Sequence, residues 1–251
     1  MSRRPLIAGN WKMHGTAGET RALLSALLPE IAGVDDRDVA VAPPFTALPA
    51  AADELSGSTV WLTAQNVHWE AKGAFTGEIS TAMLLDVGCR AAIVGHSERR
   101  QYFGETDQGV GRRARAALVA GLVPIVCVGE TLPERESDRT LEVVERQLRA
   151  ALLELQGAAI ATVCIAYEPV WAIGTGKNAT PTQAQEVHAA IRAVIARSAG
   201  DATANAMRIL YGGSVKPETI DALMSERDVD GALVGGASLE ARSFARIVRF
   251  G

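Results

Sequence analysis

Short apolar runs alternate with amphipathic stretches from one end of the chain to the other. Eight runs read as strands: 6–9, 39–42, 60–64, 91–94, 124–128, 163–167, 208–211 and 231–234. Val163, Cys164, Ile165 and Ala166 leave no position for a wetted face, as in a parallel strand covered on both sides. Helical spacing fills the intervals. Leu23, Leu24, Leu27, Leu28 and Ile31 recur as a core-facing stripe; Ala114, Leu118 and Gly121 do so in the fourth interval, and Leu141, Val144, Leu148 and Leu152 in the fifth. Thr180 and Pro181 open the sixth helix as N-cap and first helical residue, and Gly200 marks the turn beyond it.

Eight repeated strand–helix units with right-handed crossovers can close into a ring, so the pattern predicts an α/β fold, a single-domain (β/α)8 barrel spanning residues 1–251. A doubly wound open sheet is the alternative, since periodicity does not reveal closure. Polar and glycine residues follow nearly every strand instead of one, which favours a ring of loops around one mouth. One connection is long: residues 65–79, QNVHWEAKGAFTGEI, carry Trp69 and Phe75 and read as an arm that docks on another subunit.

Composition narrows the function. A formal charge of -4 distributed along 251 residues lacks the basic stripe of a nucleic-acid binder. Cys89, Cys127 and Cys164 are an odd set without metal-ligand spacing, and two of them lie inside apolar runs, which fits buried free thiols in a reducing cytoplasm. No stretch approaches transmembrane length, and the apolar run after Pro5 ends at Asn10, too soon for a signal peptide. Of the 25 basic residues only Lys12, Lys72, Lys177 and Lys216 are lysines, so each lysine is a candidate for chemistry that a guanidinium cannot do.

If all strand ends face one mouth, residues remote in sequence converge there. Asn10, Trp11 and Lys12 follow the first strand; Gly95, His96, Ser97 and Glu98 the fourth; Glu168 the sixth; Gly212, Gly213 and Ser214 the seventh; Gly235 and Gly236 the eighth. Pro169 keeps Glu168 out of a helix, at the strand's open end. Glu168 can act as a general base or form a barrel-mouth salt bridge; His96 can polarise a carbonyl or shuttle a proton. Lys12 can be a Schiff-base nucleophile, a phosphate ligand or an oxyanion stabiliser. The glycine pairs and Gly174 either turn corners or bring backbone N–H groups to an anion. His14, His68 and His188 fall in loop or helix contexts and read as structural. Gly176-Lys177 lacks the first glycine and the final hydroxyl of a P-loop, and no cluster suggests a metal or cofactor. The set suits proton abstraction beside a carbonyl in a small phosphorylated substrate. The apolar, glycine-rich segment 169–179 would be a lid excluding water, hinged at 169–171 and 177–179.

GNWKM at 9–13, GAFTGEIS in the third loop, GHSERR at 95–100, AYEPVWAIGTGK at 166–177, YGGSV at 211–215 and GGASL at 235–239 together resemble the triosephosphate isomerase family along the whole chain. The resemblance implies interconversion of dihydroxyacetone phosphate and glyceraldehyde 3-phosphate without a cofactor. It implies Glu168 as base, His96 as neutral electrophile, and Lys12 with Asn10 stabilising the enediolate. Phosphate would rest on Gly174, Ser214, Gly235 and Gly236. It further implies a homodimer, with the arm near Thr76 reaching the partner close to its Lys12. His14 and Asn178 depart from residues frequent in the family, at the dimer contact and the far lid hinge. A Schiff-base aldolase using Lys12 and a non-catalytic phosphate-binding barrel remain the competing readings.

Overall fold

The computed structural model describes residues 3–155, 157–173 and 179–251. Strands β1 (Leu6–Asn10), β2 (Asp38–Ala42), β3 (Trp61–Ala64), β4 (Ala91–Val94), β5 (Val123–Val128), β6 (Cys164–Tyr167), β7 (Arg208–Tyr211) and β8 (Gly231–Val234) pair in sequence order, all parallel, and β8 returns to β1. The ring is closed, so the open-sheet alternative is excluded and, among the described residues, none of the eight strands keeps a free edge.

Side-chain alternation sorts each strand into two layers. Leu6, Ala8, Ala40, Ala42, Trp61, Ile93, Ile125, Cys127, Cys164, Ala166, Leu210 and Leu233 form one cluster inside the ring. Their neighbours Ile7, Val41, Leu62, Val94, Val126, Ile165 and Ile209 pack outward against the helices. Each fully buried branched or aromatic side chain contributes roughly 1.5–3 kcal/mol, and small residues at many inward positions let the narrow interior close without voids. All three cysteines are buried free thiols.

Helix periodicity is realised with two exceptions. In Ala17–Glu30, Leu24 and Leu27 face the core. In Thr140–Glu154 the buried face is Val143, Val144, Gln147, Leu148, Ala151 and Leu152, whereas Leu141 is exposed because it lies in the first turn, beyond the barrel surface the helix covers. Gly121 lies outside Asp107–Val119: its φ of +90° belongs to the turn into β5, not to the helix stripe. Thr180 and Gln183 form a reciprocal capping box at the head of Pro181–Ala199.

The long third connection is anchored at its base and projects at its tip. His68 N–H donates to the Ile79 carbonyl at 2.8 Å, and Arg113 Nη1 donates to the Val67 carbonyl at 2.5 Å. His68, which the sequence pattern leaves as a bland loop residue, is buried and stacks on Trp69 at 4.4 Å and against Phe75 at 4.5 Å. Trp69 is half covered, with Arg113 5.0 Å from its ring centroid, while residues 70–77 are exposed.

His188 sits fully buried under the seventh strand. Its Nδ1 lies 3.1 Å from the Asp228 carbonyl, an acceptor, so the ring proton is on Nδ1, and Nε2 has no partner among the described residues. Burial, helped by the nearby Arg192 charge and opposed by the Asp228 carbonyl, pushes its pKa down from 6.5 to about 4. The unfolded chain therefore binds a proton that the folded chain refuses. Stability falls as pH drops below about 6.5, and the loss levels off near 4. A shift of this size corresponds to about 3 kcal/mol. We expect His188→Gln to flatten the pH dependence of urea-unfolding stability between pH 6.5 and 4; a slope equal to wild type would show that His188 is not the titrating group.

Candidate functional site

Strand alternation aims two residues into the mouth without further help. Continuing inward Leu6 and Ala8 leads to Asn10, and continuing Cys164 and Ala166 leads to Glu168; both are buried at the top of the ring. Glu168 is fixed by its backbone: its N–H donates to the Val128 carbonyl at 2.8 Å. Gly129 stands against it, since a Cβ there would fall 1.7 Å from the Glu168 carbonyl oxygen; Gln147 clasps Gly129 by both its N–H and its carbonyl.

His96 reaches the mouth by a different device. On β4, Ala91 and Ile93 face inward, so simple alternation would turn His96 outward. Gly95 adopts φ +69° and resets the phase, with a Cβ position 2.7 Å from Val110 that no side chain could occupy. His96 then caps Ser97–Phe103, its Nδ1 accepting from Glu98 N–H at 3.3 Å. With Nδ1 an acceptor, the neutral ring carries its proton on Nε2, which points at Glu168 Oε1 2.9 Å away. The second carboxylate oxygen accepts from Ser97 N–H at 2.9 Å.

Lys12 is one of two non-glycine residues with positive φ (51°) among the described residues. Its backbone N–H donates to Asn10 Oδ1 at 3.0 Å, and its carbonyl accepts from Gln65 Nε2 at 2.7 Å, so the end of β1 and the third connection together hold the uncommon conformation. Its ammonium is bonded to Glu98 Oε1 at 2.6 Å. Asn10, Lys12, His96 and Glu168 thus meet on one cavity of about 330 Å³, together with Ser214, Gly235 and Gly236. The backbone N–H groups of Ser214 and Gly235 have no acceptor among the described residues, and a Cβ at Gly236 would meet nothing within 4 Å. The pair after β7 has a different duty: a Cβ on Gly212 would sit 2.8 Å from Glu168 Cγ, so this glycine makes room for the carboxylate stem. Gly174 lies outside the described residues.

Electrostatics at the mouth follow from burial opposed by pairing. For Glu168 burial is the largest effect and raises its pKa, yet the charge and hydrogen bond of His96, the Ser97 N–H and the Lys12 charge together hold it below the ordinary 4.5. For His96 burial again acts first, disfavouring the imidazolium, but Glu168 and Glu98 more than offset it and raise the ring above 6.5. Cys127, inward on β5, keeps its proton because burial, then the Glu168 charge, push the thiol well up.

Further residues contribute to the site. Lys216 and Ile173 line the cavity. Glu130, fully buried, accepts from the Trp171 indole at 2.8 Å and from the Tyr167 hydroxyl at 3.1 Å, and its carbonyl accepts from Val170 N–H at 3.1 Å, tying down the segment that follows Glu168. Only its place two residues after a strand end could have flagged it. Residues 170–172 form a 3-10 turn, so the near end of the expected lid is structured; of the far hinge, Lys177 and Asn178 lie outside the described residues and Ala179 is buried. His14 is exposed. Among the described residues no group of histidine, cysteine or acidic side chains could hold a metal ion, and no helix is long and apolar enough to cross a membrane.

The balance at Glu168 predicts that His96→Asn lets burial dominate, so the carboxyl titrates at higher pH than in wild type. Carbon-13 NMR of labelled glutamate carboxyls measures this; an unmoved Glu168 would assign its low pKa to Ser97 and Lys12 alone.

A family model described as triosephosphate isomerase matches residues 5–251. Proteins named triosephosphate isomerase from Citrifermentans bemidjiense, Chloroflexus aurantiacus and Herpetosiphon aurantiacus are 56%, 57% and 58% identical to this chain, each over 99% of both sequences.

Proposed function

Because the chain belongs to the triosephosphate isomerase family, we propose that it interconverts dihydroxyacetone phosphate and glyceraldehyde 3-phosphate, moving one proton between adjacent carbons through an enediolate. The observation that carries the assignment of roles is a buried carboxylate and an imidazole Nε2 2.9 Å apart on the cavity wall, with an ammonium on the same cavity.

Glu168 takes the proton from the carbon beside the carbonyl and returns it to the neighbouring carbon. To do so it exchanges a bond from His96 or Ser97 for contact with substrate. His96 then loses the carboxylate that sustains its positive charge. Burial and the Lys12 ammonium favour the neutral ring, opposed by Glu98, and Nε2–H is free to donate to the substrate oxygen as charge develops there. Lys12, oriented by Glu98 and Asn10, supplies the fixed positive charge that stabilises the enediolate. An ammonium already bonded to a carboxylate is arranged as an electrostatic stabiliser rather than as the neutral amine of a Schiff base, which disfavours the aldolase reading. The phosphate rests on the N–H groups of Ser214, Gly235 and Gly236, with Gly174 contributing from the lid over 169–179. Ile173 on the cavity and Trp171 moored to Glu130 support that lid, whose purpose is to keep water from the intermediate.

The functional unit is a homodimer joined through the arm at 65–79. Its support is an exposed tip on a base fixed by His68 and Arg113, and exposed Met13, Phe75, Met83, Tyr102 and Phe103, too many large apolar side chains to leave in water. Buried free thiols are compatible with the cytoplasm as its compartment.

Purified protein should turn over both triose phosphates and incorporate solvent deuterium into substrate; absence of both would refute the assignment. Glu168→Gln is expected to lower kcat by about 10²–10⁴-fold with a much smaller change in KM. Retained turnover would remove Glu168 from its role as base, and binding without turnover in wild type would favour the non-catalytic barrel. For the assembly, Phe75→Glu should shift sedimentation from two copies toward one, and wild type sedimenting as one copy would exclude the dimer.

A further inference from the structure

A second cavity, of about 310 Å³, lies at the opposite end of the barrel, where the strands begin. Arg3, Arg4, Arg90 and Arg208 line it, against one carboxylate, Asp38. Asp38 is divided between two of them, accepting from Arg4 Nε at 2.8 Å and from Arg208 Nη1 at 2.7 Å. Arg3 pairs with Asp228 and Asp230, and those two acids also bind Arg192. Five guanidinium groups against three carboxylates leave this cluster at +2, in a chain whose formal charge is -4. Arg90 is the uncompensated member. Its side chain makes no hydrogen bond or ion pair with any described residue. What holds it is the face of buried Trp61, whose centroid lies 4.1 Å from the Arg90 guanidinium carbon and 5.1 Å from that of Arg208. One ring therefore positions two guanidinium groups at the cavity, both keeping unused N–H donors in the planar fork that suits oxyanions.

We propose that this cavity is a binding site for a compact multivalent oxyanion of the diphosphate class. A volume at the low end of small-molecule pockets limits the ligand's size, and an excess of two positive charges calls for at least two negative ones. The site is independent of the mouth: none of its lining residues touches the cavity of Glu168.

The test is titration of the full-length protein with inorganic pyrophosphate at low salt, following the Trp61 indole and the Ser214 backbone amide separately by nitrogen-15 NMR. The proposal expects a saturable shift at Trp61 that weakens as ionic strength rises from about 0.02 to about 0.2 M. Arg90→Ala should weaken the Trp61 isotherm about tenfold, leaving the Ser214 isotherm and triose phosphate turnover unchanged. Arg90 is exposed and its side chain makes no hydrogen bond that the fold depends on, so the variant should fold; its melting temperature checks this. Response at Ser214 with silence at Trp61 would overturn the proposal, as would an Arg90→Ala affinity equal to wild type. A citrate arm separates charge from phosphate chemistry: weaker citrate binding supports the diphosphate class, and tighter binding overturns it.

Discussion

Burying a carboxylate costs several kcal/mol unless its charge and lone pairs are satisfied, and the mouth of this barrel is built around meeting that requirement at Glu168. Solvent is excluded by the ring of strand ends, so compensation comes from His96, Ser97 and the Lys12 field. Each partner needs support of its own: Gly95 to turn His96 inward, Glu98 and Gln65 to hold Lys12, Gly129 to clear room for the Glu168 backbone and Gly212 for its carboxylate stem. The parts are linked because each exists to keep one ion in a place where ions are costly.

The same compensation keeps the base usable. A carboxylate buried without partners would hold its proton at neutral pH, and one paired irreversibly could not leave for substrate. Here two hydrogen bonds of ordinary length come from the start of the helix after β4, a different element from the strand that carries Glu168, so exchanging these partners breaks no strand or helix hydrogen bond. Closure of the ring supplies the rigidity, since every strand bearing a site residue is hydrogen-bonded on both sides.

What the sequence makes legible follows from what periodicity encodes. Alternation and apolar runs report burial, so the eight strands could be read directly, whereas closure was favoured only by the polar and glycine residues that follow nearly every strand. Strand ends shift by a residue or so where an apolar run extends past the paired residues, as at half-buried Val60 and buried Val163. Partner identity is not periodic. Ser97 and Glu168 are 71 residues apart and Lys12 and Glu98 are 86 apart, so neither bond has a local signature. The phase reset at Gly95 is visible only as a glycine, and His68 looks like any loop histidine until the arm folds back on it. Glu130 was illegible for the same reason, its role resting on Trp171 41 residues on.

His96, Ser97 and Glu98 are consecutive and serve two partners: the first two hold Glu168, one on each carboxylate oxygen, and the third holds Lys12. One helical turn is thus a common ruler for base, electrophile and cation. If the turn shifts as a body, all three shift together and their spacing survives, much as a jig preserves alignment when it is moved. The converse also holds: a displacement of the turn's backbone cannot retune one of these distances alone, so fine adjustment falls to side chains, as where Gln65 holds Lys12 from another connection.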